Sequence, residues 1–393
     1  MNTKRCQRCV LLWLTGLALA ACSSAATGPG QNDSAVVSRD AGPDAAPVDA
    51  AQADAATADA GDSGAIVPGV VASNFAVIVN RDVDLAPTPI NAAYIAAISA
   101  TGPGDHIATL QKYFHNESIT SALVDAARRT VAIDAVYMQD VDPSCSSLLL
   151  PGDTIDCGAV FQHSPTCHNK NMMILRADGS LGAIVGSYNL RTRSSSSPRV
   201  HTVLTFDVGD GQSVFDWYQG AVERLLTGSS SQPLRIELPT DTGGELSLSV
   251  TPAPFNPVLE MLQNINSCDG IVWMSYYDAN DDSTGGPVFN ELQRLVGIGC
   301  DVRVMVDEDT APRAVAALQR RGVPARFPTF PAGGATLGHK LVLADSAGET
   351  HLIQSSANLT FYDVLIGNLT AYLRAPTMPA VRAAIETELL RYW

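Results

Sequence analysis

The chain predicts an α/β protein of two homologous halves, on three observations. Runs rich in Val, Ile and Tyr alternate with runs whose apolar residues recur at helical spacing, an order that lays helices over sheets. A polar and apolar pattern at residues 168–189 returns at 338–358, and self-similarity about half a chain apart marks a duplicated unit. The first 68 residues differ in composition from all that follow. The expected segments are a signal at 1–21, a tether at 22–68, and halves at 69–230 and 231–393.

The N-terminus reads as a processing signal. Lys4, Arg5 and Arg8 precede an apolar run from Val10 to Ala18, too short to span a bilayer as a mature helix. Leu19-Ala20-Ala21-Cys22 closes it in the form of a bacterial lipobox, which implies lipidation of Cys22 and cleavage before it. The other reading is an ordinary secretory signal in which Cys22 is incidental. A lipidated Cys22 makes the membrane a partner and the cell envelope the location, with Ser23 favouring the outer membrane in a Gram-negative cell. Residues 23–66 are nearly all Ala, Asp, Gly, Pro, Ser and Thr, and cannot bury enough apolar surface to offset the entropy of ordering. They are expected to form a flexible tether.

In the body, AVIVN near 75–80 is a β-rich run. Residues 117–129 carry apolar side chains at helical spacing, with Glu117 in the first turn and an Arg in the last. A strand is expected at 131–138, then a cysteine-bearing loop, a hairpin, the strand HTVLTFDV and the helix VFDWYQGAVERLL. The second half repeats this order: strand IVWMSYY, helix VFNELQRLVGIG, strand DVRVMVDE, helix APRAVAALQRRG, a hairpin, strand LTAYLRA and a closing helix. Trp217, Tyr218 and Trp273 fall on these elements as core residues. Tyr276 and Tyr277 end a strand and are candidates for ligand contact.

Each hairpin is bracketed by a Lys and a Ser-x-Asn. The first copy holds His168, Lys170, Gly186, Ser187 and Asn189; the second holds Lys340, Asp345, Ser356 and Asn358. Side chains at i and i+2 of a strand share a face, so His168 joins Lys170 and Ser187 joins Asn189. Such polar groups are costly to bury unless they serve a ligand or each other.

This pattern resembles the phospholipase D superfamily, whose signature is His-x-Lys-x4-Asp followed by Gly-Ser-x-Asn. The resemblance covers roughly 70–393 and implies two mixed-sheet halves about a pseudo-twofold axis, both motifs meeting in one cleft. It implies phosphodiester cleavage in two steps through a phosphohistidine, with Lys and Asn side chains holding the non-bridging oxygens. No metal or other cofactor is required by that chemistry. Leu175 stands where the family has Asp, and Gly338 where it has the second His. His339 is one position away and on a regular strand faces the other side. Either a β-bulge at Gly338 turns His339 into the cleft, or the second histidine is lost. The family also has an acid beyond each Ser-x-Asn. The stretches SSPRVHT and IGNLTAY hold none, and His201 stands near that place in the first half. Asp134, Asp140, Asp142, Asp307 and Asp309 are read as ordinary acids at or near strand ends or within a strand, with no role.

Composition narrows the partners. The formal charge is −15; the signal carries three positive charges and the tether a net −6, so the body carries −12. An acidic body lacks the surface that nucleic-acid backbones need. Of the cysteines beyond Cys22, Cys145 with Cys157, and Cys268 with Cys300, are placed to pair in an oxidising compartment, leaving Cys167; five buried thiols is the other reading. No Cys or His spacing points to a metal site, and no obligate protein partner is inferred. The function expected from the resemblance is an envelope-anchored phosphodiesterase acting on a phospholipid headgroup or related diester. The alternative is a catalytically degenerate phosphate-binding, lipid-binding or scaffold lipoprotein.

Overall fold

A computed structural model describes residues 65–66, 70–81, 88–138, 145–191, 199–253, 255–309, 311–330, 336–376 and 378–393. The signal, Cys22, the tether up to residue 64, Asp140 and Asp142 lie outside them.

Two large mixed sheets dominate. The first runs Phe161–His163, Ala132–Tyr137, His106–Gln111, Lys170–Leu175, Leu181–Gly186, Arg199–Val208, with Ala72–Asn80 antiparallel to the last. The second runs Ala325–Arg326, Val302–Val306, Val272–Tyr276, Lys340–Ser346, Glu349–Ser355, Leu369–Pro376, Glu245–Val250, then Arg235–Pro239. Through their first seven strands the two sheets share one order and one set of directions: three parallel strands, then antiparallel pairing throughout. The α/β duplication expected from the sequence is thus present in the topology.

Short main-chain links join the two sheets, among them a bridge from Ala72 to Thr240. Thr336–Leu337 pairs in parallel with Arg199–Val200, and Cys167 bridges Gly367. Ala65–Ile66, at the end of the segment read as tether, pairs in parallel with Ile236–Glu237 and is a strand.

Strand alternation sorts the apolar side chains into three cores. The inner one joins Met173, Val185 and Leu204 of the first sheet to Leu248, Leu343 and Leu373 of the second, with helices Gln212–Thr227 and Pro379–Tyr392. Outer cores lie under helices Pro89–Ser99 and Glu117–Arg128 on the first sheet, and under Pro257–Asn264, Gly285–Gly297 and Pro312–Arg320 on the second. The helix Glu117–Arg128 starts where the Asn116 side chain accepts the Ile119 N–H, and ends before Thr130, whose φ is 64°. Trp217, Tyr218 and Trp273 are core residues, as their spacing implied.

Cys145 pairs with Cys157 and Cys268 with Cys300; Cys167 is a free, buried thiol whose pKa burial pushes up to about 12. Asp134 is not a lone acid: it accepts from Gln219 at 2.8 Å and lies 2.7 Å from His106. Asp307 accepts the Leu337 N–H at 2.8 Å and so braces the crossing strand.

Candidate active site

The two motifs meet through paired main-chain bonds that repeat in each half. The His168 N–H donates to Gly367 at 2.9 Å, and the Gly338 N–H to Val200 at 2.8 Å. The Ser187 N–H donates to Thr202 at 3.1 Å, and the Ser356 N–H to Leu369 at 3.0 Å. Lys112 N–H meets Asn169 as Tyr277 N–H meets His339, at 2.7 and 2.8 Å. These bonds equate His168 with Gly338, Lys170 with Lys340, Ser187 with Ser356, and His201 with Asn368.

His168 is buried. Its Nδ1 lies 2.9 Å from Asn368 Oδ1 and 3.1 Å from Asp363 Oδ1, leaving Nε2 outside these contacts. Asn368 is fixed by its own amide, which donates to the carbonyls of Asp363 at 2.7 Å and Ile366 at 3.3 Å, so its oxygen faces His168. An oxygen that only accepts requires the proton on Nδ1 and puts the lone pair on Nε2. Burial, with Lys170 and Lys112 nearby, holds the His168 pKa well below the usual imidazole range.

Lys170 donates to the carbonyl of His168 at 2.8 Å and to that of Ser356 at 3.4 Å. Burial, then Lys340 and Lys112, depress its pKa well below the usual lysine range. Burial brings Lys340 down to about 7 against the pull of Asp363. Its ammonium lies 4.9 Å over the Tyr277 ring, and Arg199 lies 5.0 Å over the same ring. An acidic body therefore holds a local cluster of Lys112, Lys170, Arg199 and Lys340, of which only Lys170 and Lys340 belong to the repeated motif.

The serines brace rather than face a ligand. Ser356 Oγ donates to Asn368 Oδ1 at 3.1 Å and accepts the Leu369 N–H at 2.9 Å. Ser187 Oγ lies 3.3 Å from His201 Nδ1 and 3.3 Å from the Thr202 carbonyl. Asn358 donates to Asp363 Oδ2 at 3.0 Å, and the side-chain oxygens of Asn189 and Asn358 are buried with no hydrogen-bond partner.

Two expectations need correction. His339 is not turned into the cleft: pairing is regular from Lys340 through Leu343, and Tyr277 continues it onto His339 without a bulge. The ring points to the opposite side from Lys340, with Nδ1 3.1 Å from Ser275 Oγ, and burial drops its pKa to about 3. Asp345 lies five residues along the strand from Lys340, about 16 Å at strand rise. There it accepts from Thr350 at 2.9 Å and sits 2.8 Å from Arg382, a structural tie.

The acid sought beyond the second Ser-x-Asn is an amide, Asn368, and the carboxylate comes from Asp363 on the short helix Phe361–Leu365. Thr360 caps that helix with its hydroxyl toward Asp363, a Thr-x-x-Asp pattern that could have been read. Asp278, just past the strand Val272–Tyr276, is raised to about 6 by burial and by Asp363, against Lys340.

The Gly338 position is filled by a neighbour. A Cβ built there would lie 2.5 Å from His201 Nδ1 and 2.8 Å from Nε2. Gly338 does not take a positive φ, so space and not backbone freedom demands the glycine. His201 is buried, and burial with Lys340 and Arg199 beside it holds its pKa well below the usual range.

No family model and no curated protein matches the sequence. Solved structures do. Polyphosphate kinase from Porphyromonas gingivalis is similar over 81% of this chain at 15% identity with a TM-score of 0.50, the chain spanning 50% of that protein's length. Phosphatidylserine synthase from Haemophilus influenzae matches over 81% of this chain and 85% of its own, at 10% identity and a TM-score of 0.53. Nuc, a phospholipase D family member from Salmonella typhimurium, matches 38% of this chain and 94% of its own at 19% identity, TM-score 0.28. With the strand order shared by both sheets and those likenesses over 81% of its length, this chain has the fold of the phospholipase D superfamily.

Proposed function

We propose that the chain cleaves phosphodiesters through a phosphohistidine on His168. The observation that carries this is His168 itself: Nδ1 held at 2.9 Å by Asn368, with the Asp363 carboxylate 3.1 Å away and two buried lysines beside it. Nε2 attacks phosphorus, the P–O bond to the leaving group breaks, and the leaving oxygen departs with a proton. Lys170 and Lys340 take the non-bridging oxygens as charge builds. Asp363 and Asn368 stabilise the imidazolium formed on attack. Water then displaces His168 from phosphorus and the P–N bond breaks.

A phospholipid is the substrate that fits the surroundings. Phe361, Tyr362 and Leu365 are 53, 60 and 53% exposed on the same five-residue helix that sends Asp363 inward. Apolar side chains at the mouth of a cationic site suit a lipid ester, and a lipid anchor on Cys22 would hold the body at a membrane. No helix among the described residues is long and apolar enough to cross a bilayer.

The second reading, a binding protein without turnover, is favoured by Gly338 at the second histidine position. Phosphatidylcholine vesicles with the full chain and with His168→Ala separate the two. Rapid denaturing quench and mass spectrometry are expected to find a phosphatidyl adduct at His168 and none in the variant. Equal background rates from both proteins on vesicles and on a soluble diester would leave only the binding reading.

A further inference from the structure

The site described so far has a nucleophile but no assigned proton donor for the leaving oxygen. His339 cannot serve, being fully buried on the inner face against Ser275. The paired main-chain bonds set Gly338 in the place of His168 and His201 in the place of Asn368. In one half the imidazole comes from the hairpin and a short amide comes from the last strand. In the other, the hairpin gives a bare glycine and the last strand gives the imidazole. The His201 ring then lies where a Cβ on Gly338 would stand, 2.5 Å from its Nδ1. Resting on the phosphodiesterase reading, we infer that His201 is the second catalytic imidazole, delivered from the strand Arg199–Val208 in place of the missing motif histidine.

Three features support this. The ring lies within the field of Lys340, Arg199 and Lys170, and Lys340 and Lys170 also act on His168. Its Nδ1 is 3.3 Å from Ser187 Oγ, whose own proton can go to the Thr202 carbonyl, so Nε2 is the nitrogen left for substrate. In-line displacement puts attacking and leaving groups on opposite sides of phosphorus, and the pseudo-twofold equivalence puts the two imidazoles on opposite halves. A bound diester anion offsets the neighbouring ammonium charge and favours the protonated ring. In the first step His201 gives its Nε2 proton to the leaving alkoxide as the P–O bond breaks. In the second it takes a proton from the attacking water as the P–N bond to His168 breaks, and both imidazoles return to their starting states.

The test compares phosphatidylcholine, whose alkoxide needs a proton, with bis(4-nitrophenyl) phosphate, whose nitrophenolate does not. His201→Asn in the full chain is expected to lose phosphatidylcholine turnover by about 10²–10⁴-fold. On the nitrophenyl ester it should release a burst of nitrophenolate and then stall with His168 phosphorylated, which also shows that it folds. The double variant His201→Asn, Gly338→His, which copies the first half, should regain turnover of the lipid. Undiminished phosphatidylcholine turnover by His201→Asn overturns the assignment while leaving the phosphodiesterase reading intact. Loss in Asp278→Asn with none in His201→Asn overturns it likewise. Absence of any phosphohistidine in the unaltered chain on either ester sinks the phosphodiesterase reading, and this assignment with it.

Discussion

Lys170 reaches across from one sheet to the other and donates to the main-chain carbonyl of Ser356, 3.4 Å away. Lys340 answers from the second sheet, equally buried. Two ammonium groups this deep are held at a cost, since burial penalises charge and like charges add to it. Lys340→Met is therefore expected to raise unfolding stability by about 1–4 kcal/mol while removing turnover. Because burial depresses Lys340 from 10.5 to about 7, the unfolded chain binds the extra proton between those values. The cost is full below about pH 7 and fades towards 10.5, so the gap between variant and unaltered chain should narrow as pH rises. Urea unfolding at several pH values measures it.

Binding of an anionic diester should weaken as pH rises through 6 to 7. Asp278 gains its negative charge near 6 and Lys340 loses its positive charge near 7, both against the anion. His168, held neutral by burial and the lysines, does not contribute in this range. Titration calorimetry with a non-hydrolysable phosphonate should show Lys340→Arg flattening the upper part of the profile and Asp278→Asn the lower.

Asp345 is a test of the family pattern against the geometry. Its partners are Arg382 at 2.8 Å and Thr350 at 2.9 Å, far along the hairpin from the cation cluster. Asp345→Ala should cost about 1–3 kcal/mol by removing one of the two carboxylates on a mostly buried guanidinium, Glu386 remaining at 3.3 Å. The kcat of the folded variant should match that of the unaltered chain.

The exposed helix makes a separate prediction about substrate. Replacing Phe361, Tyr362 and Leu365 together by Ser should reduce turnover on vesicles and leave turnover of a soluble diester unchanged. Loss on both esters would instead mean that the change had shifted Asp363, which shares the helix.

Much of the fold was legible because apolar alternation and helical spacing are local signals. The strands Lys170–Leu175 and Lys340–Ser346 and the helix Glu117–Arg128 follow from them. The helix Pro89–Ser99 did not, because its Ala and Ile residues surround it without a polar face. Glu245–Val250, whose leucines alternate with polar residues, does carry a readable strand pattern, though it is absent from the expected order. Within the site, His168 and Lys170 were legible as neighbours on one strand. Asp363, Asn368, Lys112 and Arg199 were not, since only pairing between distant strands brings them to the same place. The paired cysteines were legible from the strands and loop they flank.

The overlap of position 338 with the His201 ring couples two sites 137 residues apart in sequence. Restoring the family histidine at Gly338 alone would force two rings into one volume, so the substitution that looks corrective is expected to be damaging. Removing His201 first would leave that volume without an imidazole. Neither order of single changes connects the two arrangements through a well-packed intermediate holding two imidazoles. A lineage that entered this arrangement would find it hard to leave, and descendants should vary at these positions together or not at all.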